Sequence, residues 1–108
     1  MNVEQIRDHA LSKEGVTESL PFGPDTLVFK VNNKIFLLLA LDEIPLSFNV
    51  KCDPAKAVEL REEYPDNVLP GYHMNKKHWN TVMTTHLKTA FLKEMIDHSY
   101  DLVTKKKR

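Results

Sequence analysis

The sequence predicts an α+β domain in which helices pack on an antiparallel sheet, with the element order α-β-β-β-α-β-β-α. Apolar segments joined by short turns favour antiparallel strands. A well-marked helix between the strands and another after them supply the packing partners. The 108 residues, 42% hydrophobic and 28% charged, suffice for one globular domain without disulfides or metal. We therefore expect a single domain over residues 1–104 and a basic tail over 105–108.

The first helix is predicted at the start of the chain, where Val3, Ile6 and Ala10 recur at helical spacing. Asn2 can cap this helix, and Gly15 suits its exit. The next segment, ESLPFGPD, holds two prolines and a glycine within four residues. We expect an ordered loop there, with no regular element.

The segment TLVFKVNNKIFLLLAL, residues 26–41, predicts a β-hairpin. Asn32 and Asn33 tolerate the positive φ that a tight turn requires. A two-residue turn would place Phe29 opposite Phe36. Both faces of the hairpin are largely apolar, which predicts a central position in the sheet.

The segment LSFNVKC, residues 46–52, alternates between apolar and polar side chains and predicts a strand with one packed and one solvated face. Ser47, Asn49 and Lys51 belong to the solvated face. Cys52 shares the phase of the apolar residues. Although Lys51 and the following helix N-terminus can lower a thiol pKa, we interpret Cys52 as a buried, unreactive thiol.

The segment DPAKAVELREEYP predicts a helix that Asp53 caps, with Pro54 at its first position and Pro65 at its end. NVLPGY then predicts a turn, and KHWNTVMTT predicts strands that close the sheet. Trp79 is expected to be a core or half-core side chain. A last helix begins near Thr89. Its predicted buried side consists of Phe91, Met95, Leu102 and Val103.

Charge is distributed unevenly in a chain whose net charge is zero. Residues 1–66 carry seven Lys/Arg against twelve Asp/Glu, whereas residues 67–108 carry eight against three. An asymmetric charge of this kind permits attraction to an anion such as nucleic acid. For the terminal run, a solvated tail is the simpler interpretation. The basic residues of this half include Lys76, Lys77, Lys105, Lys106, Lys107 and Arg108.

Catalytic and metal-binding motifs are not found in the sequence. The serines lack a G-x-S-x-G context, and no phosphate-binding glycine motif occurs. His73, His78 and His86 lie in a segment without carboxylates that contains two lysines, which disfavours a cation. The single cysteine excludes an intrachain disulfide. We expect no enzyme activity, cofactor or metal.

Membrane insertion is not expected either. The chain starts with a polar segment, and its longest apolar run, residues 35–41, is too short to cross a bilayer. The sequence favours a cytoplasmic protein.

Four blocks of the sequence resemble the MmcQ/YjbR family: GVTESLPFGPDTLVFKV, KCDPAKAVELREEYP, PGYHMNKKHWNTV and SYDLV. The resemblance implies a CyaY-like, frataxin-type α+β fold with a double wing of β-hairpins, and members are commonly labelled DNA-binding. It implies no catalytic residue. The positions in the most distinctive blocks are Lys51, Cys52, Asp53, Tyr72, His73, Asn75, Lys76, His78, Trp79, Asn80, Ser99 and Tyr100.

The leading hypothesis is a small monomeric domain that contacts duplex DNA through the exposed 72–78 loop. Lys76 and Lys77 would bind phosphates, and His73 and Asn75 would bind sugars or base edges. The 105–108 tail would act as a non-specific anchor. His78 completes the predicted interface.

Two alternatives stay open. One is a pocket that binds a small anionic ligand or supports an unidentified reaction. Its candidate residues are Lys51, Cys52, His73, His78 and Tyr100. The other is a protein–protein adaptor that uses the solvated face of the sheet.

Overall fold

The computed structural model describes residues 1–71 and 75–104, and in these ranges it confirms the α+β prediction. Six antiparallel strands form one sheet in the order β1-β2-β3-β4-β6-β5, with three helices. The elements are α1 Val3–Leu11, β1 Thr17–Ser19, β2 Thr26–Val31, β3 Lys34–Ala40, β4 Ser47–Lys51, α2 Pro54–Glu63, β5 Val68–Pro70, β6 Trp79–Met83 and α3 Thr89–Thr104. No helix in this part of the chain is long and apolar enough to cross a membrane.

The edge strand β1 was not predicted, because the sequence indicated a loop over 18–25. Thr17 pairs with Lys30, and Ser19 pairs with Val28. Proline disrupts pairing only from Pro21 onward, so the residues before it remain free to hydrogen bond with β2. The observed loop is therefore shorter than the expected one.

The helix ends confirm the predicted caps. Asn2 and Gln5 form a capping box, in which Gln5 N donates to Asn2 Oδ1 at 2.8 Å and Asn2 N donates to Gln5 Oε1 at 2.9 Å. Gly15 has φ 77°, a conformation that favours glycine. Asp53 caps α2 and accepts from Lys56 N at 3.3 Å.

The β2–β3 hairpin has the predicted turn but a different register. Asn32 and Asn33 have φ values of 52° and 66°. A bulge next to Phe29 places this residue opposite Leu37, so the predicted pairing of Phe29 with Phe36 was wrong. A bulge sets two residues against one. Phe36 is fully buried, and its ring meets the Tyr100 ring edge-on at a centroid distance of 5.5 Å.

The two faces of the sheet differ in how they are covered. The helices cover one face and enclose the main core, which includes Ile6, Phe29, Phe48, Val82 and Ile96. A second cluster on the other face comprises Val28, Leu38 and Trp79, with Ile35 packed against it. Trp79 is 7% exposed, which confirms that it is a core side chain.

Two burial predictions needed correction. Met95 and Val103 are buried as predicted, whereas Leu102 is 37% exposed. Leu92, Ile96 and Ser99, at helical spacing, complete the buried side of α3. On β4, Ser47 is 6% exposed although it belongs to the predicted solvated face. That face therefore carries partly buried polar groups.

Candidate functional site

Two hairpin connections lie at the same end of the sheet. Strand β3 begins just after the Asn32–Asn33 turn and runs antiparallel to β4, with Leu37 opposite Val50. Strand β4 ends at Lys51, which lies opposite Trp79, the first residue of β6. The start of β3, the end of β4 and the start of β6 therefore coincide. We call this end, with residues 32–34, Lys51 and 75–78, the wing end.

The C-terminal half of α3 is attached to the wing end through Ser99. The buried Ser99 hydroxyl donates to Phe36 O at 2.5 Å and accepts from Lys51 N at 2.9 Å. One hydroxyl thus satisfies two strand groups and fixes α3 against β3 and β4. The predicted basic tail follows α3 directly, although residues 105–108 lie outside the described residues.

The turn at 75–78 presents an exposed polar surface. Asn75 O accepts from His78 N and Trp79 N at 3.1 and 3.0 Å, and Asn75 Oδ1 accepts from Lys77 N at 3.0 Å. All four residues of the turn are exposed. Since Asn75 Oδ1 is used within the turn, its amide NH₂ is the part available to a partner. His73 and Tyr72 lie outside the described residues.

The lysines of the wing end have no carboxylate partner in residues 1–71 and 75–104. The ion pairs in these ranges are Arg7–Glu18, His9–Asp97 and Lys13–Asp97. Lys34, Lys76 and Lys77 are exposed. Lys51 Nζ lies 5.8 Å from the centroid of the Trp79 ring, within the range of a cation–π contact.

Arg61 on α2 supports the 75–78 turn through hydrogen bonds. The sequence did not indicate this role, because Arg61 lies in the charged helical segment VELREE. Its Nε donates to Asn80 Oδ1 at 2.7 Å. Its Nη2 donates to Trp79 O at 3.2 Å and also to Lys76 O. One side chain therefore connects helix α2, strand β6 and the basic turn.

Cys52 and Asp53 have structural roles at the end of β4. Cys52 is buried, as predicted, and its N donates to His78 O at 2.8 Å. Burial raises the pKa of the Cys52 thiol, which keeps it protonated and poorly nucleophilic. Asp53 N donates to His98 Nε2 at 3.2 Å, so Nε2 carries no proton. Burial, reinforced by the nearby charge of Lys56, lowers the pKa of His98.

The proposed Lys/Cys/His/Tyr cluster is only partly assembled. Lys51, Cys52 and His78 border one open concavity. The Tyr100 hydroxyl donates instead to Glu14 O at 2.6 Å, and Lys13 Nζ lies 5.2 Å from the centroid of its ring. Tyr100 therefore contacts the exit of α1, and it is absent from the lining of the concavity that Lys51, Cys52 and His78 border; His73 lies outside the described residues.

A separate cavity of about 220 Å³ lies between α2, α3 and the ends of β4 and β6. Asn80, which is 1% exposed, lines it. Asn80 Nδ2 is buried and has no hydrogen-bond partner among the described residues. An unsatisfied buried donor costs about 1–3 kcal/mol, and among the buried side-chain nitrogen and oxygen atoms of the described residues Asn80 Nδ2 is the one without a partner.

These features define a small α+β protein whose antiparallel sheet presents two hairpin turns at one end. The chain belongs to the YjbR family, whose model matches residues 11–102. This finding confirms the family resemblance of the four sequence blocks.

Individual relatives agree with that assignment. The chain is 44% identical to a protein named YbdF from Escherichia coli O157:H7 over 85 residues, which cover 77% of this chain and 68% of that protein. It is 27% identical to YjbR from Escherichia coli strain K12 over 101 residues, covering 93% of this chain and 85% of that protein.

Solved structures share the fold. A Deinococcus radiodurans protein described as a DUF419 domain matches with a TM-score of 0.92 and 37% identity, covering 97% of this chain and 80% of that one. A Pseudomonas syringae protein matches with a TM-score of 0.78 and 29% identity, covering 94% and 98%. The fold of this chain is therefore shared with both solved structures.

Proposed function

We propose that the wing end binds nucleic acid, with duplex DNA as the partner. The strand register carries the proposal, because it brings two turns rich in asparagine and lysine to one end of the sheet. Lys34, Lys76 and Lys77 are exposed there, without a carboxylate partner in the described ranges. Phosphate oxygens are the natural partners of such side chains.

The spacing of the turns suits a duplex. In the order β2-β3-β4-β6-β5 the midlines of the two hairpins lie three strand spacings apart, about 14 Å. The major groove of B-DNA is about 12 Å wide. The lysines of the two turns would therefore reach phosphates on opposite sides of one groove.

Four residues of the wing end receive specific roles in this proposal. Lys76 and Lys77 bind phosphates, and Lys34 does so from the other hairpin. The Asn75 amide NH₂ donates to a phosphate, sugar or base edge, since its oxygen is occupied within the turn. His78 lies at the base of the turn, with its side chain exposed.

Fluorescence anisotropy with a labelled duplex, measured over a salt series, tests the proposal. Engagement of four phosphates predicts that the logarithm of the affinity falls against the logarithm of the salt concentration with a slope of about −3.6. The combined change Lys76→Gln and Lys77→Gln should reduce the magnitude of this slope by about 1.8.

The combined change Lys88→Gln and Lys93→Gln is the matched control, because it removes the same charge from exposed positions. These lysines lie at the start of α3, near the opposite end of the sheet, where Thr84 N donates to Leu46 O. The slope should then stay as in the unmodified protein. Equal effects of both pairs, or no binding to varied duplexes at low salt, would refute the proposal.

A further inference from the structure

We propose that the cavity between α2, α3, β4 and β6 binds a small uncharged organic molecule, whose hydrogen-bond acceptor receives the Asn80 Nδ2 proton. The cavity lies on the helix side of the sheet. It shares Lys51 with the wing end, but Lys34, Lys76 and Lys77, which carry the proposed phosphate contacts, do not line it. Ligand binding in the cavity can therefore be tested separately from nucleic-acid binding.

The orientation of the Asn80 amide follows from Arg61. A guanidinium only donates, so the Asn80 atom 2.7 Å from Arg61 Nε must be the oxygen. The amide nitrogen is thereby turned away from Arg61. It is buried and unpartnered in the described part of the chain, in a side chain that lines the cavity. A fixed donor in this position selects a ligand with an acceptor.

The cavity walls indicate the body of the ligand. Val50, Leu60, Phe91 and Met95 supply apolar surface. A volume of about 220 Å³ is below the usual range for drug-sized ligands, about 300–1,000 Å³. The ligand class is therefore a fragment-sized molecule, aromatic or aliphatic, with a carbonyl oxygen or an unprotonated ring nitrogen.

The charges around the cavity select against an anion. Three carboxylates, Glu59, Glu63 and Glu94, line it together with Lys51 and Lys56. Acids thus outnumber lysines. His98, also in the lining, accepts from Asp53 N and is held in its neutral form. A neutral ligand does not require any of these groups to change its ionisation.

The test compares acetophenone with α-methylstyrene, which replaces the carbonyl by a carbon–carbon double bond of similar shape. Two-dimensional NMR of the isotope-labelled full chain follows the Asn80 side-chain amide and the Met95 methyl group during each titration. Acetophenone should shift both signals with a millimolar or tighter dissociation constant. The loss of one hydrogen bond should weaken α-methylstyrene about tenfold. This comparison needs no variant.

The variant Asn80→Asp preserves an oxygen for Arg61 and removes the donor. Acetophenone affinity should fall about tenfold or more, whereas α-methylstyrene affinity should change less than twofold. Equal binding of the two probes, no shift of the Asn80 amide, or a long-lived water as its only contact would overturn the proposal. Tighter binding of benzoate than of acetophenone would overturn the uncharged ligand class.

Discussion

The contact between Arg61 and Asn80 provides a quantitative test of how the basic turn is supported. The change Arg61→Met keeps much of the apolar stem and removes three hydrogen bonds, to Asn80 Oδ1, Trp79 O and Lys76 O. These three losses differ in energy because their acceptors differ in exposure. Only acceptors that water cannot reach should contribute substantially.

The Asn80 oxygen dominates the expected effect. Asn80 is 1% exposed, so removal of Arg61 leaves a buried acceptor without a partner, at a cost of about 1–3 kcal/mol. Trp79 O retains a hydrogen bond from Gly71 N at 2.9 Å. Lys76 belongs to the exposed turn, where water can replace the lost donor. We expect Arg61→Met to lower the free energy of unfolding by about 1–3 kcal/mol.

Urea denaturation followed by the fluorescence of Trp79, the single tryptophan, measures this change. The matched control is Arg7→Met, because Arg7 donates to the Glu18 carboxylate at 2.7 and 2.5 Å in an exposed pair. Water can rehydrate that carboxylate, so the loss should be smaller. Adding Asn80→Leu to Arg61→Met removes the stranded oxygen and should restore about 1 kcal/mol or more. If Arg61→Met is no more destabilising than Arg7→Met, or if the double variant is simply additive, the reasoning fails.

Three further predictions concern the neighbouring residues. Gly71→Ala should destabilise the protein by about 1–3 kcal/mol, because the added Cβ would lie 2.7 Å from Trp79 Cβ and 3.0 Å from Trp79 O. The same urea assay measures this loss, and unchanged stability would contradict the prediction. The lowered pKa of His98 means that its stabilising contribution is present above the unfolded value of 6.5 and is lost as the pH falls through the folded value. His98→Gln should therefore flatten the fall in stability that accompanies acidification below the unfolded value of 6.5, and an equally steep profile would count against the assignment. Burial should make the Cys52 thiol react with a thiol reagent much more slowly in the native than in the urea-unfolded protein, and equal rates would show that it is accessible.

Local sequence signals were sufficient to predict most of the helices and strands of the fold. The Asn2 and Asp53 caps and the Asn32–Asn33 turn depend on chemistry within a few residues, and the structure shows all three. The errors arose where tertiary packing decides. The bulge beside Phe29 shifts the hairpin register by one residue, and nothing in a two-residue turn indicates it.

The two candidate sites could be predicted less well from the sequence than the fold. The wing end depends on which strand ends coincide, and that follows from the insertion of β4 between β3 and β6. The orientation of the Asn80 amide in the cavity depends on Arg61, and the sequence places Arg61 in a charged helical segment that gives no sign of this contact. A donor that lacks a partner is visible only once every neighbouring group has been located.

The described residues of the distinctive segment PGYHMNKKHWNT form two sets. The first set is fixed by contacts within the protein, and the second set consists of exposed lysines. Gly71 is required by its contact with Trp79, which packs in the second cluster, and Asn80 is fixed by Arg61. Packing therefore accounts for Gly71, Trp79 and the Asn80 oxygen without any ligand, whereas the Asn80 Nδ2 donor has no partner among the described residues. Packing does not account for Lys76 and Lys77, whose side chains are exposed and form no ion pair in the described ranges. The first set serves the packing of this domain, whereas the exposed charge of the second set is the feature on which the proposed contact with an anionic partner rests.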